Sequence, residues 1–187
     1  MNFIKNSLIK MSQSKWNYWM GFVFDAIIVG SLFIIAFTNG ASIIMGIFSV
    51  ILGIIFFTAI EYFVHAKLFH GWVKSFTAGH AKHHRNPMGY DAMPFFFAMI
   101  IISPFYLASY LVVSFEYASL FTAGIFIGYI AYGIMHHLMH RATFNNAYFK
   151  YMVAFHDLHH EQPQKNHGVT VPFWDMIFGT YTPINKH

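Results

Sequence analysis

Long apolar runs alternate along the chain with short polar stretches that are rich in histidine. Four runs stand out: 16–37, broken only by Asp25; 41–64, charged only at Glu61; 93–114; and 117–135, which continues into His136. A helix needs about 20 mostly apolar residues to cross a hydrocarbon core about 30 Å thick, so each run predicts a membrane-spanning helix. Thr38-Asn39-Gly40 joins the first two runs, and a similarly short turn around Glu116 joins the last two; both predict helical hairpins. The length of the first two runs favours full spanning over a re-entrant hairpin. Pro94 is expected in the first turn of the third helix, where its missing N–H costs nothing. Pro104 falls mid-helix and predicts a kink.

Composition narrows the class. The 187 residues are 57% hydrophobic and 10% charged, against about 25% charge in a soluble domain. This excludes a soluble globular domain, a disordered tail and a coiled coil. The chain has no cysteine, which excludes disulfide scaffolds, iron–sulfur clusters, thiolate zinc sites and cysteine nucleophiles. There are no internal repeats or low-complexity stretches.

Charge sets the expected topology. All 11 Lys and Arg residues lie before the first run, between the second and third, or after the fourth; neither hairpin turn has one. Positive loops stay in the cytoplasm. The expectation is one multi-pass membrane domain, 1–187, with both termini cytoplasmic: a cytoplasmic N-terminus (1–15), a helical hairpin (16–64), a cytoplasmic histidine region (65–92), a second hairpin (93–135) and a cytoplasmic histidine cap (136–187). Basic residues spread along a membrane face carry no nucleic-acid motif, so no nucleic-acid partner is expected. The N-terminus resembles a signal peptide superficially, but its apolar run exceeds the 7–15 residues of an h-region and lacks a cleavage site, so it reads as an uncleaved anchor. Trp16, Tyr18 and Trp19 read as an interfacial belt.

The 13 histidines outnumber the 7 carboxylates, and membrane proteins keep ionisable groups only where they are needed. Twelve fall in four groups on the predicted cytoplasmic side: His65 and His70; His80, His83 and His84; His136, His137 and His140; and His156, His159, His160 with His167. The thirteenth is His187. Helical residues three or four apart share a face, so His80/His83/His84 and His156/His159/His160 each converge, as do His136 and His140. His137 points about 100° away, and His65 and His70, five apart, diverge by about 140° on a straight helix. Either the helix unwinds there or those two rings serve different ions. Any one of these histidines alone reads as a solvated or hydrogen-bonded interfacial residue. Two His-x-x-His-His blocks plus a His-x-x-x-His pair on one membrane face predict metal. One ion takes about four to six ligands, so ten motif histidines imply two ions. Imidazole suits iron, zinc and copper alike, and the ligands alone do not choose among them.

The motifs Glu61-Tyr62-x-x-His65-x-x-x-x-His70, His80-x-x-His83-His84, His136-x-x-x-His140 and His156-x-x-His159-His160 resemble the membrane fatty acid hydroxylase superfamily, which includes sterol desaturases and fatty acid 2-hydroxylases. The tail Asn166-His167-Gly168-Val169-Thr170, Phe173-Trp174-Asp175 and Phe178-Gly179-Thr180 also looks like that family. The likeness runs over residues 57–181, and the combination looks closest to fatty acid 2-hydroxylases. It implies an all-α integral membrane enzyme: four transmembrane helices under a cytoplasmic histidine-rich helical cap that holds a di-metal site. By position, the metal ligands would be His65, His70, His80, His83, His84, His136, His140, His156, His159 and His160. The implied activity is an O₂-dependent di-iron hydroxylase acting on the acyl chain of a lipid or fatty acid, with zinc able to occupy the sites after purification. An unactivated C–H bond needs an oxidant made from O₂ and two electrons. No His-Pro-Gly-Gly cytochrome motif is present, so the electrons are expected from a separate electron-transfer protein.

Within the superfamily, a desaturase, a sterol-modifying enzyme or a carotenoid hydroxylase is the alternative. A zinc membrane hydrolase would require a His-Glu-x-x-His motif, which the chain lacks. A metal transporter or sensor would place its ligands at mid-membrane. Carboxylates and amides are expected to orient the rings, with Glu61, Asp157, Asn166 and Asp175 as candidates and Glu161 as a weaker one. Tyr132, one turn before His136, is a candidate for the substrate path. Asp25 is an intramembrane acid read as a packing or lysine-pairing group. His167 matches no ligand position of the family, and His137 and His187 read as structural or solvated.

Overall fold

The computed structural model describes residues 2–184; His187 lies outside them. The described residues are helical, with no strand among them. In chain order the helices are α1 (Asn2–Ser12), α2 (Lys15–Thr38), α3 (Ile43–Phe63), a π-helical stretch (Val64–Trp72) that continues α3, α4 (Lys74–Arg85), α5 (Phe97–Tyr110), α6 (Phe115–Met139), α7 (Ala147–Glu161) and α8 (Phe173–Phe178). The chain divides into two compact units, Met1–Phe57 with Tyr90–Ile130 and Thr58–Gly89 with Ala131–His187.

Among the described residues, three helices are long and apolar enough to cross a membrane: Lys15–Thr38, Ile43–Trp72 and Phe115–Met139. The third expected span is shorter than its apolar run. Its helix covers 14 residues, Phe97–Tyr110, or about 21 Å at 1.5 Å per residue. At its N-terminal end the cause is Asn17, which is buried in the first unit. Its Nδ2 donates to the Met93 carbonyl at 2.9 Å, and its Oδ1 accepts from the Phe95 amide at 2.9 Å. Those main-chain groups are satisfied without a helix, so helical bonding starts only at Phe97, whose amide donates to the Pro94 carbonyl. Pro94 therefore precedes the helix instead of occupying its first turn, while Pro104 does sit inside α5.

Within the first unit, α3 and α6 meet backbone to backbone at two glycines. A Cβ at Gly53 would lie 2.1 Å from the Phe121 carbonyl oxygen, and one at Gly124 would lie 2.2 Å from that of Val50. Apolar helices in lipid gain nothing from hiding hydrocarbon, so close approach over small residues is what holds them together. Asp25 is buried in the same unit, and its Oδ1 has no hydrogen-bond partner among the described residues.

Candidate metal centre

The second unit carries all the motif histidines. At the end of α3 the helix loosens into the π-helical stretch Val64–Trp72. Hydrogen bonds from i to i+5 bring residues five apart onto one side, and the His65 and His70 ring centroids lie 5.1 Å apart. Of the two alternatives left by their spacing, the unwound helix is the one observed. Thr77 Oγ1 of α4 donates to the Val73 carbonyl at 3.2 Å and the Gly71 carbonyl at 3.4 Å, tying this stretch to α4. Asn146 caps α7 by accepting from the Tyr148 and Phe149 amides.

The rings gather into two sets. One contains His65, His70, His80, His84 and His159; the other contains His83, His136, His140, His156 and His160. Within each set one nitrogen per ring lies within 4.8 Å of all the others. The spacing of the two His-x-x-His-His blocks explains the partition. Positions i and i+4 differ by about 40° around a helix, while i+3 lies about 60° to the other side. His80 and His84 of α4 accordingly join one set and His83 the other. In α7 the assignment is reversed: His156 and His160 join the second set and His159 crosses to the first. Each block thus serves both sets. His137 belongs to neither, and Arg141 donates to its Nδ1 at 3.3 Å from one turn away.

The nitrogens face inward. The Nε2–Nε2 separations are 2.9 Å for His65–His80, 3.0 Å for His80–His84 and 3.1 Å for His70–His159. In the other set they are 3.1 Å for both His140–His156 and His156–His160. Burial, the largest cause throughout, pushes these rings toward the neutral form. His140 and His160 are held at about 4, His83 at about 3 and His159 at about 2, with His80 and His156 also well below the usual histidine value. Neighbouring histidines add to the depression of His80, His83 and His156. Neutral imidazole is the form that binds metal.

The donor sets fit metal ions. Opposite nitrogens around one ion with bonds of about 2.0–2.1 Å sit about 4.2 Å apart, so each set is the size of a single coordination sphere. His83 Nε2 and His136 Nε2 are buried with no hydrogen-bond partner among the described residues, the condition of ligand atoms that a cation would satisfy. In the first set the tautomers are fixed as well. His65 Nδ1 donates to the His167 carbonyl at 2.5 Å, and His159 Nδ1 donates to the Lys165 carbonyl at 2.7 Å. Each leaves its Nε2 lone pair for a ligand bond.

The carboxylates act at one remove from the rings. Glu61 accepts from the Val169 amide at 2.6 Å and the Thr170 amide at 3.0 Å, and also bonds the Thr170 hydroxyl. Asp175 accepts from the His167 amide at 2.7 Å, the Gly168 amide at 2.8 Å and the Thr180 hydroxyl at 2.7 Å. Asn166, in the left-handed region at φ 54°, ties its segment to the Thr182 main chain. Glu61 and Asp175 bind the main chain of the loop 166–170, and Asn166 anchors that loop to Thr182, so all three act on the loop that carries the His167 carbonyl. Asp157 and Glu161 are exposed. Tyr132 stacks on His136 at 5.8 Å, with its plane 8° from parallel. The spacing of His167 gives no sign of its place beside the first set. It is buried, its ring lies 5.4–5.6 Å from those of His159, His70 and His65, and its carbonyl orients His65. A main-chain acceptor leaves no mark in a sequence.

A fatty acid hydroxylase family model matches residues 50–180. The chain belongs to the fatty acid hydroxylase family. It is 31% identical to dihydroceramide fatty acyl 2-hydroxylase FAH2 of Arabidopsis thaliana, over 68% of this chain and 58% of that protein. It is 29% identical to fatty acid 2-hydroxylase of Mus musculus, over 78% of this chain and 42% of that protein. A solved structure of full-length scs7p, in which only the hydroxylase domain is visible, superposes with a TM-score of 0.78 at 26% identity, covering 95% of this chain and 72% of that one. The chain thus spans about half the length of these curated relatives.

Proposed function

We propose that this fatty acid hydroxylase family member is a membrane-bound, O₂-dependent di-iron monooxygenase that hydroxylates the acyl chain of a lipid or fatty acid, in the manner of a 2-hydroxylase. One observation carries the reading: two five-histidine sets, interleaved through shared His-x-x-His-His blocks, in a chain of this family. The proposed ligands are His65, His70, His80, His84 and His159 for one iron and His83, His136, His140, His156 and His160 for the other. Bound iron would supply the redox chemistry that no protein side chain can provide. Electrons would come from a separate electron-transfer protein. The topology proposed with it is four spans with both termini and the histidine cap on the cytoplasmic side.

The protein's own residues bind, orient and shield. His65 and His159 donate hydrogen bonds from Nδ1–H to carbonyls, which leaves each Nε2 lone pair to face the metal position. Glu61 and Asp175 hold the loop that presents the His167 carbonyl. Burial of His65, His156 and His159 keeps water from these ligand positions. Tyr132, stacked on His136, is proposed to border the acyl chain. Holding one carbon fixed beside the metals is the protein's remaining contribution, since a misplaced C–H bond does not react.

Lipid mass spectrometry tests the reading. Cells expressing the chain under isotopically labelled O₂ should accumulate acyl lipids carrying one labelled hydroxyl, and cells expressing His140→Ala should not. A labelled-oxygen-free double bond as the product would replace hydroxylation with desaturation.

A further inference from the structure

α8 is short and oddly dressed. Its Trp174 donates its indole N–H to Thr58 Oγ1 at 2.9 Å, and Asp175 is fully buried. Phe178 stacks on Tyr62 at 5.2 Å and meets Phe63 edge-on at 5.1 Å. The helix is thereby pinned along the last turns of α3. Yet Phe173, Met176, Ile177 and Phe178 leave about half of their surfaces exposed. Four large apolar side chains exposed on six residues form a surface that water disfavours.

The surroundings say what covers it. Phe63 lies on the same stripe of α3 as Leu52 and Met45, since steps of 7 and 11 residues return to within about 20° around a helix. All three are between 44% and 50% exposed, on a helix long and apolar enough to cross a bilayer. Through the Phe63–Phe178 contact, the exposed face of α8 borders this apolar span at Phe63. Its other border has the composition of a membrane interface. Phe63, Lys67 and Phe178 line a cavity of about 220 Å³, and the Lys67 ammonium lies 6.0 Å over the ring of Trp72, which is 77% exposed. A tryptophan with a lysine beside an apolar face is how proteins sit at the headgroup level.

We propose that the outer face of α8, together with Phe63 and Trp72, is a membrane-contact surface that lies in the plane of the bilayer interface, so that the cavity between Phe63, Lys67 and Phe178 opens onto lipid. The inference rests on the spanning reading of α3 and not on the identity of the bound metal. The occupant is the lipid surface itself, because the patch meets the apolar span of α3 at Phe63 and is edged by a tryptophan and lysine of interfacial type.

The absence of native cysteine makes the test clean. Met176→Cys and Ile177→Cys would each carry one environment-sensitive fluorophore, with Leu52→Cys as the membrane reference and Gln162→Cys as the aqueous one. Both α8 positions have exposed side chains, so the contacts of Trp174 and of the buried Asp175 are kept. In phosphatidylcholine vesicles, the labels at Met176 and Ile177 should follow Leu52: blue-shifted emission, quenching by lipids brominated on the acyl chain, and protection from iodide. Behaviour like that of Gln162 overturns the proposal. So does protection from both quenchers, which would mean that a protein surface such as a second copy covers α8. If Leu52 itself is open to iodide, the spanning reading of α3 is what fails.

Discussion

The main-chain carbonyl of His167 accepts a 2.5 Å hydrogen bond from Nδ1 of His65. His65 is thereby committed to one tautomer, with Nε2 directed at His80 Nε2, 2.9 Å away. The carbonyl holds its place because the amide of the same residue is held by Asp175 and the following amides by Asp175 and Glu61. Two carboxylates thus orient a histidine through the backbone of a loop.

Asp175→Asn should weaken the first histidine set. The carboxylate accepts from two amides and a hydroxyl, whereas asparagine offers one acceptor and points an N–H₂ at a donor. Loss of an outer partner of a metal-bound histidine typically costs about 10–100-fold in metal affinity or activity. Metal retention through dialysis against a graded chelator measures it, with helical content by circular dichroism as the check on folding.

The histidine motifs and the apolar runs were legible from spacing because both follow from helical geometry. The runs at 16–37 and 117–135 reappear as α2 and α6, shifted by a few residues. The late start of the third helix was not legible, because it depends on Asn17, some 76 residues away, bonding the Met93 carbonyl. The π-helical turn at His65 was visible only as a conflict between two rings that straight-helix geometry could not bring together. The roles of Glu61 and Asp175 were legible as residue types but not as partners. Their targets are main-chain amides, which every residue has.

The partition of the blocks predicts unequal variants. His159→Ala removes a ligand from the His65 set and leaves the other set intact, so metal content should fall from about two ions per chain toward about one, with hydroxylation lost. His137→Ala should retain both ions and activity, since that ring bonds Arg141 outside both sets. Elemental analysis of the purified variants checks both. Equal loss in His137→Ala would mean that the third motif is misassigned.

Topology is open to the same kind of contrast. Reporter fusions at Asn39 and Glu116 should lie on the side opposite to both termini. The 14-residue α5 is the weak point, at about 21 Å against a core of about 30 Å. A Glu116 fusion on the side of the termini would show that α5 does not cross.

The glycine contact predicts a stability effect remote from the metals. Gly53→Ala and Gly124→Ala each place a Cβ within 2.2 Å of a facing carbonyl oxygen, so the backbones of α3 and α6 must separate. Overpacking of this kind typically costs about 1–3 kcal/mol and sometimes more. Gly30→Ala meets no atom within 4 Å and should be neutral or mildly stabilising, because alanine is the better helix former. Thermal unfolding in detergent should separate the first two variants from the third.

Acid should destabilise the metal-free protein in a defined window. Burial holds His140 and His160 at about 4 in the fold, whereas an unfolded histidine titrates near 6.5. Between those values the unfolded chain binds protons that the folded one refuses. Stability is therefore full above about 6.5 and falls as pH drops toward about 4, levelling off only when the folded rings themselves charge. His83 and His159, held lower still at about 3 and about 2, extend the loss further into acid. With metal bound, protons must also displace the ion from its nitrogens, so the same fall should begin at lower pH. Melting temperatures of apo and metal-loaded protein, measured from pH 7.5 to 4, test this. A flat apo profile across that range would mean that the rings are open to water.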